Sequence, residues 1–200
     1  MRLTAAAPLS RRTALASVLA SALAGCAALR ASPEASGPAE ADGAPLLRLP
    51  PQALGRRLAL QQQLTVSVQG QVRRQIDAVL EADEASVRLA VVSLGQTAAR
   101  LEWDGVNLTT TRSPWLPAAV SAERILSDLQ LVMWPAEAIR AALPPGWTLH
   151  TDGPDRVLRQ HAEDVVTVRH PSATRAELVA HRAGYALVID SRPLDPEALQ

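Results

Sequence analysis

The chain has no Lys and no Phe, one Tyr, four Trp and a single Cys among its 200 residues. One cysteine excludes a disulfide framework and any cysteine-based metal cluster. Without lysine, 20 Arg balance 20 Asp and Glu, so the formal net charge is zero. That balance argues against a general nucleic-acid binder, which must neutralise a run of phosphates, and no nucleic-acid partner is expected. The sequence also lacks a Gly-x-Ser-x-Gly elbow, a P-loop, a dinucleotide glycine pattern and a His-Glu-x-x-His zinc helix. The expectation is a non-enzyme that needs no cofactor. What remains is 48% hydrophobic and 20% charged, enough for a packed core, which excludes wholesale disorder.

The N-terminus reads as an address. Arg2, Arg11 and Arg12 precede an uncharged run from Thr13 to Ala24, followed by Gly25 and Cys26. A positive start and about a dozen apolar residues describe a signal peptide, whereas a spanning helix needs roughly 20. Leu23-Ala24-Gly25-Cys26 resembles the bacterial lipobox, in which the cysteine thiol receives a diacylglyceryl group and becomes the new N-terminus. The competing reading is ordinary secretory cleavage beside a chance cysteine. Ser10-Arg11-Arg12-Thr13-Ala14-Leu15 resembles a twin-arginine export signal with Ala14 at the usual Phe position, which leaves the export route open. After processing, 175 residues remain, with 17 Arg against 20 acids and a charge of −3. Two or three acyl chains on one residue anchor firmly, where a single chain holds marginally. Ala27, rather than Asp, follows the cysteine, which by resemblance to bacterial lipoproteins favours the outer membrane.

Residues 27–45 are rich in Ala, Ser, Pro, Gly and Glu and offer almost nothing to bury. They read as a tether, spanning roughly 25 Å as a flexible coil. The expected organisation is a signal peptide over 1–25, a lipidated Cys26 and tether over 26–45, and one folded domain over 46–200.

From Leu58 the hydrophobic period is two. Leu58, Leu60, Leu64, Val66 and Val68 share one parity, and Gln61, Gln63, Thr65, Ser67 and Gln69 the other, the mark of a half-buried antiparallel strand. Gly70 turns it. Ile76, Ala78, Leu80 and Ala82 form a second strand, Val87, Leu89 and Val91 a third, Ala99, Leu101 and Trp103 a fourth. Asp104-Gly105 is a two-residue hairpin signal leading to a fifth strand through Val106, Leu108 and Thr110. The period then becomes helical. Ser121 is an N-cap candidate, and Ile125, Leu126, Leu129, Val132 and Met133 form an apolar stripe. Pro135 restarts the helix at a favoured first-turn position, and Pro144-Pro145-Gly146 stops it. Strands resume over 147–150, 156–161, 165–169, 176–181 and 185–191, the last two joined at Ala183-Gly184.

The expected fold class is therefore α+β and mainly antiparallel β: a curled sheet or half-barrel of about 8–10 strands around a helical insert. A lining of Leu, Val, Ile and Ala without large rings leaves room for a greasy cavity, although a well-packed aliphatic core has the same composition. Leu64, Val66, Ile76, Leu80, Leu89, Leu101, Trp103, Leu129 and Met133 are the cavity-lining candidates.

Other residues could carry chemistry. His150, His161, His170 and His181 recur at spacings of 11, 9 and 11, so a metal site is conceivable. Solvated strand-end histidines are the favoured reading, and no metal is expected. Glu81, Asp83 and Glu84 form a carboxylate cluster that turn chemistry explains. Trp103, Trp115, Trp134 and Trp147 could form an aromatic mouth, with core packing or interfacial anchoring at least as well supported. Trp115-Leu116-Pro117 is the most loop-like of these and would make a membrane- or partner-touching tip if exposed.

The order of lipobox, tether, five-strand meander, helical insert with Trp and Pro, and C-terminal meander resembles the LolA/LolB-type family over about residues 55–192. Two segments carry the likeness: Ser93-Leu94-Gly95-Gln96-Thr97, and the stretch from Ser121 to Trp134-Pro135. The second, with Leu-Pro-Pro-Gly-Trp after it, is still more similar to a lipoprotein family of related fold often encoded beside aryl polyene or fatty-acid-type synthesis genes. The resemblance implies a protruding Leu that helps insert cargo into the membrane. Leu94 before Gly95 matches that position, with Ser93 where the family has Pro, and the alternative is a Leu ending its strand in the core. The implied function is a lipid-anchored outer-membrane protein facing the periplasm. It would bind a lipid, polyene lipid or lipoprotein anchor in an apolar half-barrel, with a periplasmic carrier protein as partner. The alternative is a non-catalytic envelope scaffold for protein partners.

Overall fold

A computed structural model describes residues 43–93, 95–113 and 121–194. Among the described residues ten strands form one open antiparallel sheet: β1 (Leu58–Val68), β2 (Gln71–Ala82), β3 (Val87–Ser93), β4 (Gln96–Trp103), β5 (Leu108–Arg112), β6 (Trp147–Asp152), β7 (Asp155–Gln160), β8 (Glu163–Ser172), β9 (Arg175–Ala180) and β10 (Tyr185–Pro193). Their order is β5-β4-β3-β2-β1-β10-β9-β8-β7-β6. Each half is a meander of neighbours in sequence, and the β1–β10 pair, from Leu60↔Pro193 to Val68↔Tyr185, joins the halves. The sheet curls around two helices, α1 (Ala122–Met133) and α2 (Ala136–Ala142), so the fold is the expected α+β half-barrel.

Register follows the period-two pattern. Leu60 faces Leu80, which faces Leu89, which faces Leu101, so the inward leucines of four strands stand in one row. A one-residue slip of any one of these strands would turn its leucine to the convex face. The row is buried throughout, and Leu126, Val132, Trp134, Ile139, Leu158, Val168 and Leu178 complete the core from the helices and the C-terminal strands.

Three local expectations are corrected. Asp104-Gly105 does not form a two-residue hairpin. The turn runs from Asp104 to Asn107, whose carbonyl accepts the Asp104 N–H at 3.3 Å, and Asp104 Oδ1 accepts the N–H groups of Val106 and Asn107 at 2.8 and 2.6 Å. Val106 therefore leaves the strand and is 79% exposed. Pro135 does not sit in a first turn but at the N-cap of α2, and Trp134 before it is extended with ψ 155°. A proline disfavours helical backbone at the residue before it, so the insert is two separate helices, not one kinked one. Finally, the domain starts by Gly43 rather than at residue 46, because Ala44 is buried and the carbonyls of Ala44 and Pro45 are bound by α1. Gly43 itself has φ +71°, and a Cβ there would lie 2.8 Å from Arg182 Cδ, so both backbone and space call for glycine.

Candidate functional site

α1 occupies the concave face and is buried nearly all round, including Arg124, Ser127, Asp128 and Gln130. Ser121 caps its first turn by accepting the Arg124 N–H at 3.2 Å. The buried polar residues have a defined task. The segment from Ala44 to Pro50 belongs to no strand, so its backbone groups need other partners. Arg124 Nη2 donates to the Ala44 carbonyl at 2.7 Å. Ser127 Oγ donates to the Pro45 carbonyl and accepts the Leu47 N–H at 3.0 Å. Gln130 Oε1 accepts the Leu49 N–H at 2.9 Å, and its Nε2 donates to the Leu49 carbonyl at 2.8 Å. Trp134 Nε1 reaches the Pro50 carbonyl at 3.4 Å. One stripe of α1 thus reads the backbone of a strap roughly as a neighbouring strand would. Trp103 Nε1 also donates to Leu49 O at 2.8 Å, which sets the strap between α1 and β4.

This arrangement sorts the cavity-lining candidates. Leu80, Leu89, Leu101, Trp103 and Leu129 are buried in a packed core, so their expected place on a greasy cavity is corrected: the strap and α1 fill the space they face. Leu64, Val66 and Ile76 are half-buried, with Leu64 opposite Ile76 in the sheet. Burial declines along β1, β2, β3 and β10 toward the same end. Leu60 and Leu80 are buried, Leu64, Val66 and Ile76 half-buried, and Val68 is 37% exposed. Val91 follows Leu89, and Leu187 precedes Ile189, in the same sense. This end carries the Gln69-Gly70 turn and the 181–184 turn, joined by the Gln69 N–H donating to Gly184 O at 2.9 Å. Leu94, Trp115 and Leu116 lie outside the described residues, as does the lipidation candidate Cys26.

The opposite end of the concave face is polar. Met133, the remaining candidate, lines an open cleft of about 410 Å³ at the C-terminus of α1, together with Val132, Arg56, Arg156, His170, Thr174, Arg175 and Ser191. Arg156 Nη1 donates to the Leu131 carbonyl at 2.6 Å, and His170 Nε2 meets the Val132 carbonyl at 3.3 Å. Two side chains of β7 and β8 thus satisfy carbonyls in the last turn of α1, where basic groups also complement the helix dipole. Burial, and secondarily the neighbouring charges of Arg56 and Arg140, lowers the Arg156 pKa. Arg175 differs: ion pairs with Glu177 at 3.2 Å and Asp190 at 2.9 Å raise its pKa. A second hollow, about 630 Å³, is lined by Gln61, Gln63, Asp77, Asp190 and Arg192. Neither hollow is an enclosed greasy chamber.

The remaining sequence candidates resolve simply. His150, His161 and His181 are exposed and His170 is half-buried, and no group of three metal-ligating side chains forms among the described residues. His181 Nε2 bonds Thr167 Oγ1 at 2.9 Å. Asp83 Oδ1 accepts the N–H groups of Ala85 and Ser86 at 2.8 and 2.9 Å, the turn chemistry expected of it. Trp103 and Trp134 are buried and Trp147 half-buried, so these three form no exposed aromatic mouth. Tyr185, not singled out in the sequence, donates its hydroxyl to Asp128 Oδ2 at 2.5 Å and ties β10 to α1. The polar stripe Arg124, Ser127, Gln130, with its spacing of three, was the available signal for the strap contact.

No helix among the described residues is long and apolar enough to cross a membrane. A search of curated proteins finds no match to this chain. The family model described as "Protein of unknown function (DUF3261)" matches residues 59–193, a span that runs from β1 to the end of β10 and takes in both helices. The chain therefore belongs to the DUF3261 family.

Proposed function

We propose that this chain is an envelope lipoprotein, anchored through a diacylglyceryl Cys26, whose half-barrel takes up a lipid-like or acyl cargo. The observation that supports the reading is the uneven filling of the concave face. Leu64, Val66, Ile76, Val91 and Leu187 remain half-buried at one end of a face whose middle is packed. Covering such a surface with an acyl chain contributes about 0.8 kcal/mol per buried CH₂, with few directional contacts required. The lipobox-like Leu23-Ala24-Gly25-Cys26 and the likeness of the strand order to the LolA/LolB type support placement at the outer membrane, facing the periplasm. Cargo would then arrive from a periplasmic carrier protein. The test is mass spectrometry of small molecules co-purifying with the full-length chain from a bacterial envelope, paired with uptake of a fluorescent fatty acid. A stoichiometric lipid or polyene is expected. An empty protein that also takes up no fatty acid would overturn the reading. It would favour a scaffold that binds protein partners, for which the outer edges of β5 and β6, unpaired among the described residues, are the supporting feature.

A further inference from the structure

The cleft at the C-terminal end of α1 contains an electrostatic arrangement that capping alone does not explain. Arg156 is half-buried, and its one described hydrogen bond goes to an uncharged carbonyl, Leu131 O at 2.6 Å. Among the described residues no ion pair involves Arg156 or Arg56. The nearby carboxylates are engaged elsewhere: Asp190 is held by Arg175 Nη1 at 2.9 and 3.1 Å, and Asp155 Oδ1 accepts the His170 backbone N–H at 2.7 Å. A partly buried cation beside a like charge costs free energy unless an anion offsets it, and the described residues supply none.

The cleft is built to receive one. His170, Thr174 and Ser191 line the same wall, with Ser191 Oγ accepting a hydrogen bond from Gln62 Nε2 at 3.1 Å. The volume of about 410 Å³ lies within the range of small-ligand sites. Guanidinium groups and hydroxyls suit the geometry of an oxyanion, while Val132 and Met133 leave part of the wall apolar. We infer that this cleft is a binding site for an oxyanion of the phosphate-monoester class, held by Arg156 and Arg56. The ligand is either free phosphate or the headgroup of an anionic amphiphile. The inference goes beyond the proposed cargo reading and occupies the other end of the concave face.

Calorimetric titration of the full chain with three probes tests it: inorganic phosphate, dihexanoyl phosphatidate and uncharged dihexanoyl glycerol. Arg156→Gln and Arg56→Gln are each expected to weaken binding of a charged probe by about tenfold or more, with Arg156→Lys retaining part of it. Arg56 is exposed and has no described hydrogen bond, so its variant reports on charge even where the Arg156 variant unfolds. Loss that extends to inorganic phosphate supports the site with a free anion as ligand. Loss confined to phosphatidate supports it with a headgroup as ligand. If no charged probe binds, or the Arg56 variant and a folded Arg156 variant bind charged probes as the unaltered protein does, the inference is overturned. Uncharged dihexanoyl glycerol reports separately on the apolar cargo reading, so the two can fail independently.

Discussion

The two ends of the concave face share β10 and yet differ in the chemistry of their linings. Where β1, β2, β3 and β10 approach the Gln69-Gly70 turn, the inward residues are Val66, Ile76, Val91 and Leu187, all aliphatic and half-buried. Where α1 ends, the inward residues of β7 and β10 include Arg156 and Ser191, and the cleft wall is cationic. Between them lies a sector filled by the strap and α1, in which Leu80, Leu126 and Trp134 are fully buried. Packing is concentrated in the middle, and the ends are left less filled. A curled sheet with one continuous apolar lining need not be a continuous cavity.

Substitutions can break this division, and the middle should respond most in stability. Leu80→Ala removes a fully buried side chain from the row of inward leucines and should cost about 2–5 kcal/mol, read by chemical denaturation. Gln130→Leu should cost about 1–3 kcal/mol, because it leaves the Leu49 N–H without its side-chain acceptor in a buried setting. Proteolysis near residues 44–50 should accelerate with it. At the aliphatic end, Ile76→Ser should cost only about 1 kcal/mol, since a half-buried residue loses part of its transfer free energy. Fatty-acid uptake should nevertheless fall sharply, a separation of binding from stability that Leu80→Ala would not show. The smallest effect belongs to the turns. Backbone N–H donors hold the carboxyls of Asp83 and Asp104 below the usual value of 3.8. A depressed folded-state pKa stabilises the fold above the unfolded value and ceases to do so as pH falls through the folded one. Asp104→Ala should therefore lower the melting temperature slightly at neutral pH, and the gap should close as the solution is acidified below pH 3.8.

The contrast also explains what could be read from the residues alone. Strands and their inward faces were legible because alternation such as Leu58, Leu60, Leu64, Val66 is a local signal that the sheet preserves. The cap at Ser121 was legible for the same reason. Val106 was misread because its alternation continued that of Leu108 and Thr110, while the carboxylate of Asp104 imposed a longer turn. Ala44 and Pro45 looked like tether because their composition is that of a tether. Their partners, Arg124 and Ser127, lie 80 and 82 residues away, and no local pattern carries that pairing. The cationic cleft was illegible on similar grounds. Arg56 precedes β1, Arg156 lies on β7 and His170 on β8, and only the curl of the sheet brings them to one end of α1.

The seam between β1 and β10 has a consequence for how the molecule is made. Leu60 pairs with Leu80 twenty positions later, but on its other side with Pro193, 133 positions later. During synthesis the first meander can assemble early while one border of β1 stays open until β10 has been added. Non-local pairing of this kind slows folding and prolongs exposure of an unpaired border. Gln61, Gln62, Gln63, Thr65 and Ser67 on that strand keep much of the open border polar during the wait, so the composition of β1 suits a nascent chain as well as a finished sheet.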